Sequence, residues 1–289
     1  MYKYHIRYSV LLLLCGLCFS TVKAQSPQYT KHDSIKVEKM LSEALKQDAS
    51  TNWILYFSNK FMKVPYVAKT LEINDTENLI INLRQLDCTT FVENVLALSL
   101  CVQRKQCSFN DFCRFLRLIR YKNGMVSYPT RLHYFTHWII DNTRLGFVSE
   151  IQSPDSVFTC VQTLDINYMT QHVNQYPMLV RNTSWISEIA KKEKELQGKC
   201  YKYIPKEQIS NSNAMRQAVH DGDIIAIVTN KKGLDTSHIG FASWKKNGLH
   251  LINASQIHKK VVDESMTLYE YMQKHPTQIG IRIIRPKKP

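Results

Sequence analysis

Polar and apolar positions recur along this chain with two periods, and the change falls near residue 221. Between 34 and 48, Ile35, Val37, Met40, Leu41 and Leu45 recur at helical spacing and predict an amphipathic helix. "WILYFSNKFM" (53–62) predicts a second. Residues 64–72 read as irregular or extended, and "NLIINL" (78–83) as a short approach strand. A helix follows from residue 88, anchored by Phe91, Val92, Val95, Leu96 and Leu98. Residues 109–120 predict another. So do 130–144, with Leu132, Phe135, Ile139 and Ile140 on one face and Gly146 as the stop. The stretch 147–205 mixes short strands with one charged helix at 185–197. Beyond 221, strand-like runs occupy 222–229, 237–244, 249–255, 259–264 and 280–286, with turn signals such as "NKKG" and "KKNG" between several of them. One helix, 267–275, interrupts. Helices first and a strand meander after predict an α+β fold. No repeat or low-complexity linker divides the chain, so 25–289 reads as one domain.

The first 24 residues stand apart. Lys3 and Arg7 precede the apolar run "YSVLLLLCGLCFS", and Val22 and Ala24 occupy the small-residue positions of "TVKAQ". This is the pattern of a secretory signal cleaved after Ala24. Cys15 and Cys18 each follow Leu, which disfavours a lipoprotein reading. No later run of about 18 apolar residues predicts a membrane span. The formal charge is +14, and removing Lys3, Arg7 and Lys23 leaves +11. That surplus favours anionic surfaces, but no nucleic-acid-binding motif accompanies it and no nucleic-acid partner is expected. Six cysteines remain: Cys88, Cys101, Cys107, Cys113, Cys160 and Cys200. Export permits disulfides, though a domain this long does not require them. No C-x-x-C pair signals structural zinc.

The helix from residue 88 opens with "LDCTTF". A cysteine there is either a buried core residue or a nucleophile. At a helix N-terminus the dipole and the unpaired N–H groups favour the thiolate. The Cys88 N–H would also point toward an oxyanion. A nucleophile needs a base, and His238 opens the strand "HIGFAS" after the loop "TNKKGLDTS". The next strand, "LHLINAS", carries Asn253 among apolar neighbours, where an inward amide needs hydrogen bonds. The bland alternatives remain open on this ground: a core cysteine, a surface histidine at a strand end, and Asn253 as part of an "NAS" glycosylation sequon like those at 74–76 and 182–184. Asp87 reads as a helix cap. His133 and His137 stand four apart, but neither an H-E-x-x-H motif nor a third ligand accompanies them, so neither a metal nor another cofactor is expected.

"DCTTFVENVLAL", "GDIIAIVTNKKGLDTSHIGFAS" and "LHLINAS" resemble, in order, the motifs of the NlpC-type papain-like peptidoglycan hydrolases. With "PYVAKTLE", "TRLHYFTHWI" and "INASQIHKKVV", the likeness covers most of 66–289 and is closest to the N-acetylmuramoyl-L-alanine amidase-like branch, once labelled only as a domain of unknown function. The resemblance implies a papain-like core with N-terminal helices, an antiparallel sheet and a large insertion. It divides the domain into N-terminal helices (25–63), the Cys-helix part of the core (64–100), an insertion shaping the substrate site (101–215) and the sheet carrying His and Asn (216–289). It implies a Cys88–His238–Asn253 triad, with Asn where His is more frequent. Tyr66, Arg131 and His133 become candidate substrate contacts, Tyr66 through its hydroxyl at the oxyanion. The implied activity is cysteine-dependent hydrolysis of the amide between N-acetylmuramic acid and L-Ala in muropeptides, anhydro-muropeptides included, in the periplasm. Cleavage between γ-D-Glu and meso-diaminopimelate is the alternative, because the same triad serves both. A non-catalytic muropeptide-binding protein is the third reading.

Overall fold

The computed structural model describes residues 26–287, so the expected signal segment 1–24 lies outside the described residues. Thr30 and Asp33 close a capping box on helix α1 (Lys31–Ala44). Its inward stripe is Asp33, Val37, Met40, Leu41 and Ala44, while Ile35 and Leu45, expected inward, are 52% and 62% exposed. The stripe is rotated because Asp33 is drawn in, its carboxylate accepting from the Leu83 N–H at 3.0 Å. Helix α2 (Trp53–Lys60) follows, capped by Asn52. Residues 78–83 form only an isolated bridge between Ile80 and Gln28, not the expected strand. Among the described residues Gln28 supplies the one bridge to this run, exchanging main-chain hydrogen bonds with Leu79 and Ile81, and no ladder develops.

Helix α3 (Cys88–Gln103) is buried continuously from Thr90 to Cys101. A helix buried on all sides must satisfy its polar groups internally or through partners. Asn94 Nδ2 donates to the Thr90 carbonyl at 2.7 Å, Ser99 Oγ to the Val95 carbonyl at 2.8 Å, and Glu93 pairs with Arg120. Helix α4 (Phe109–Arg120) packs beside it. The helix expected over 130–144 begins only at Phe135, as α5 (Phe135–Arg144). Residues 128–130 make a 3₁₀ turn containing Pro129, and Arg131 then bridges Tyr121 in extended form. Leu132 donates its N–H to the Arg120 carbonyl at 2.9 Å, so tertiary pairing overrides the helical spacing.

The chain continues through β1 (Val148–Ile151), β2 (Cys160–Thr163), α6 (Tyr168–Gln171), α7 (Pro177–Arg181), α8 (Ser184–Leu196), β3 (Cys200–Pro205) and α9 (Asn213–Ala218). It ends with β4 (Ile224–Thr229), β5 (Thr236–Lys245), β6 (Gly248–Ser255), β7 (Lys260–Asp263), α10 (Leu268–Gln273) and β8 (Gln278–Pro286). The short helices α6, α7 and α9 depart from the expectation of a single helix, 185–197, before the sheet; at four to six residues each they are too short to show a helical period. An eight-stranded sheet runs β2-β3-β8-β4-β5-β6-β7, with β1 also pairing β8. Every pairing among these strands is antiparallel. One face packs Ile224, Ala226, Ile239, Phe241, Ile252 and Ala254 against the N-terminal helices. The other packs Ile225, Ile227, Leu249, Leu251, Ile281 and Ile283 against α9 and α10. A third cluster, built on Tyr128, Tyr134, Ile166, Met169, Leu179 and Ile189, stands within the segment between α4 and β3. This is a mixed helix and antiparallel-sheet architecture of the α+β class. No helix among the described residues is long and apolar enough to cross a membrane.

Candidate active site

The first turn of α3 is built around its cap. Asp87 Oδ1 accepts from the Thr90 N–H at 2.8 Å, and the Thr90 hydroxyl oxygen accepts from the Asp87 N–H at 2.9 Å. Asp87 is therefore the N-cap, and Cys88 is the first helical residue. A main-chain N–H at that position has no partner within the helix. Cys88 is only partly buried and lines an open cleft of about 660 Å³ with Thr89, Leu132, His133, Tyr176 and His238.

His238 arrives on a strand that is shaped for it. Ile227 pairs with His238 but Val228 pairs with Thr236, so Ser237 is an extra residue in a β-bulge just before the histidine. Bulges re-aim side chains in this way. Two residues later, Gly240 is needed for closeness, since a Cβ there would come within 2.6 Å of the Ile252 carbonyl oxygen. The loop before His238 is pinned by Gly233, at φ +80°, whose added Cβ would lie 2.6 Å from Asn167 Oδ1. Asp235 is no idle loop residue: its Oδ2 accepts from the Thr136 N–H at 2.6 Å, capping α5 from across the structure and tying it to β5.

His238 Nε2 meets Asn253 Oδ1 at 2.9 Å. Asn253 is fully buried and bonded at both ends of its amide, which rules out the sequon reading for this side chain. Its second partner, Glu264, was missed from the sequence. The extension of the β6–β7 ladder, where Glu264 N–H donates to the Leu251 carbonyl, puts Glu264 on the same face as Asn253. Strand parity carries that signal, but only after the register is known.

Burial pushes the Cys88 thiol up to about 12, and the Asp87 charge adds to the push. Hydrogen bonds from Thr89 and from the Ile239 N–H pull it the other way. Burial lowers the His238 imidazole, against the Asn253 bond and the Glu264 charge. Both directions favour a neutral thiol and a neutral imidazole in the free site. The dipole and the free N–H groups at the start of α3 act against this push. Alkylation by iodoacetamide should therefore be slow near neutral pH and climb about tenfold per pH unit through the alkaline range. Rates for each cysteine, read by peptide mass spectrometry from about pH 6 to about pH 10, check this. A rate already level below about pH 7 means a preformed ion pair.

Burial also raises the Tyr66 hydroxyl to about 12, with the Cys88 and Asp87 charges contributing. It stays protonated and able to donate within the field of the cysteine, but Tyr66 lines neither the Cys88 cleft nor the adjoining one. His133 Nε2 contacts the Tyr128 carbonyl at 2.8 Å, and burial with the Arg131 charge holds its imidazole well below the ordinary range, hence neutral. Arg131 is sunk in a second cleft of about 690 Å³, which shares Thr89, Leu132, His133 and Tyr176 with the first. Its guanidinium pairs with Glu72 and lies 3.5 Å from Glu77. Arg131 therefore faces the cleft already neutralised. Cys88, His238 and His133 share the first cleft, whereas Arg131 belongs to the adjoining one. A further hollow behind residues 131–134, lined by Lys122, His137, Lys192 and Glu195, touches neither Cys88 nor His238.

A comparison with curated proteins gives no match. Among solved structures, an N-acetylmuramoyl-L-alanine amidase from Bacteroides uniformis ATCC 8492 is 37% identical, with a TM-score of 0.76 over 82% of this chain and 98% of that one. A provisionally named xylanase from Bacteroides fragilis is 38% identical, with a TM-score of 0.73 over 79% and 98%. A Legionella pneumophila protein at 24% identity and a TM-score of 0.68, over 89% and 96%, bears on the fold alone. The pattern of the AmiA-like family matches residues 56–281. The chain thus belongs to the N-acetylmuramoyl-L-alanine amidase-like family.

Proposed function

We propose that this protein is a cysteine amidase of the NlpC-type papain-like class that hydrolyses the amide between N-acetylmuramic acid and L-Ala in peptidoglycan fragments. The observation that carries the reading is one cleft holding a helix-start cysteine and a strand histidine whose Nε2 is held by a buried asparagine. As the substrate carbonyl approaches, His238 Nδ1 takes the Cys88 proton and the sulfur attacks the lactoyl carbon. The Cys88 N–H and the Tyr66 hydroxyl receive the oxyanion. His238 then protonates the departing L-Ala amine, leaving the muramoyl group as a thioester on Cys88. Water, deprotonated by the same imidazole, releases the sugar acid.

The Cys88 cleft reaches toward Met169 and Leu234, and the adjoining cleft extends the room toward Lys69, Glu72 and Gln175. That room suits a soluble disaccharide-peptide. A glycosidase reading, which the Bacteroides fragilis name invites, fits less well. Common glycoside hydrolases use two carboxyl groups across the bond, whereas the carboxylates lining the two clefts are engaged: Asp235 caps α5, Asp87 caps α3, and Glu72 and Glu93 pair with Arg131 and Arg120. The sequence of residues 1–24 supports export, and we assign the work to the periplasm.

Incubation with a disaccharide-tetrapeptide, read by mass spectrometry, tests the bond. Free disaccharide and intact stem peptide are expected. Disaccharide-dipeptide would move the cut to the γ-D-Glu bond, and no product from any fragment would leave a binding protein.

A further inference from the structure

A fourth side chain is tied into the site behind Asn253. Glu264 follows β7 and is 1% exposed. Its Oε1 accepts from Asn253 Nδ2 at 3.0 Å, and its Oε2 meets His258 Nε2 at 3.1 Å. The main chain of Glu264 is equally fixed: its carbonyl accepts from Lys245 Nζ at 3.2 Å and contacts His250 Nδ1 at 2.9 Å. Tyr271 on α10 and His238 lie within the field of the carboxylate. His258, on the turn between β6 and β7, reaches solvent with 44% of its side chain exposed and covers the far oxygen.

An amide has a donor end and an acceptor end, whereas an ionised carboxylate only accepts. With its NH₂ turned to Glu264, Asn253 presents its carbonyl to His238. A carbonyl accepts, so His238 Nε2 must carry the proton and Nδ1 must carry the lone pair. With the amide reversed, the NH₂ would face Nε2 and demand a lone pair there. The proton would move to Nδ1, and the imidazole could no longer take the thiol proton.

We propose that Glu264 is a positioning residue: by orienting the Asn253 amide it sets the His238 tautomer that serves Cys88. It touches neither substrate nor sulfur and acts through one intervening side chain. Outer partners of this kind, best measured around metal-bound histidines, are worth about 10–100-fold in activity. The rate consequence rests on the amidase reading; the tautomer consequence does not.

The test is ¹⁵N imidazole spectroscopy of the protein, with the His238 signals assigned by their loss in His238→Ala. The native protein should show a protonated Nε2 and a bare Nδ1. Glu264→Met, which removes the acceptor at similar size, should give mixed tautomers. It should also lower kcat on a disaccharide-tetrapeptide about 10–100-fold with KM nearly unchanged. Glu264→Gln keeps an acceptor oxygen and should restore most of both. An unchanged single tautomer in a folded Glu264→Met protein overturns the proposal. If that variant does not fold, the native tautomer decides: a proton on Nδ1 overturns the proposal, and one on Nε2 upholds it. A native protein that cleaves no muropeptide but shows the tautomer dependence would remove the amidase reading and leave the positioning role standing.

Discussion

Cys88→Ala should lower muropeptide hydrolysis by about 10⁴-fold or more while leaving the thermal transition nearly where it was. The loss is large because the covalent route disappears with the sulfur. Residual turnover would come from binding and the oxyanion donors alone. His238→Ala should cost a similar factor, and the double variant little more than either single one, because nucleophile and base act as a unit. Stability should hold because Cys88 is only partly buried, and the α3 cap is made by Asp87 and Thr90 without it. Steady-state rates on a disaccharide-tetrapeptide, paired with thermal melts, check both halves. A Cys88→Ala protein retaining a tenth of the activity would contradict the mechanism.

Arg120→Ala should produce the largest loss of stability. Arg120 and Glu93 are 2% and 3% exposed, with Nε and Oε2 2.7 Å apart, and Arg120 Nη1 also donates to the Ile80 carbonyl at 2.7 Å. Burial raises the Glu93 carboxyl against the pull of Arg120, so the intact pair adds little net stability. Removing one partner leaves an uncompensated charge inside the most buried helix. That costs about 3–5 kcal/mol, or a melting point lower by roughly 6–20 °C for a domain of this size. Replacing both residues together, as Arg120→Met with Glu93→Leu, should recover most of the loss. A single-variant shift under about 2 °C would mean that water reaches Glu93.

The residues carrying the proposed chemistry announced themselves because local rules govern them. Asp87 and Thr90 mark a helix start, which places Cys88. An amide in an apolar strand marks a buried hydrogen bond, which places Asn253. What escaped depends on distant partners. The 130–134 segment has helical spacing, yet Tyr121 and Arg120 draw it into an extended pairing, so Arg131 and His133 do not share a helix with His137. Asp235 caps a helix 99 positions earlier in the chain. Glu264 reaches Asn253 only through the β6–β7 register. Ile35 points outward because Asp33 answers to Leu83. Burial and the Asp87 charge push the Cys88 thiol up, and periodicity, which reports only the helix start, carries neither.

The proposed reaction passes through a thioester between Cys88 and the muramoyl group. The most direct measurement is the intact mass of the protein, acid-quenched within the first turnovers on a disaccharide-tetrapeptide, with the adduct then mapped to a peptide. An adduct on Cys88 with the mass of the disaccharide acyl group alone is expected, absent in Cys88→Ala. An adduct carrying the disaccharide with L-Ala and γ-D-Glu would contradict the assigned bond, and hydrolysis surviving in Cys88→Ala would contradict the cysteine mechanism itself.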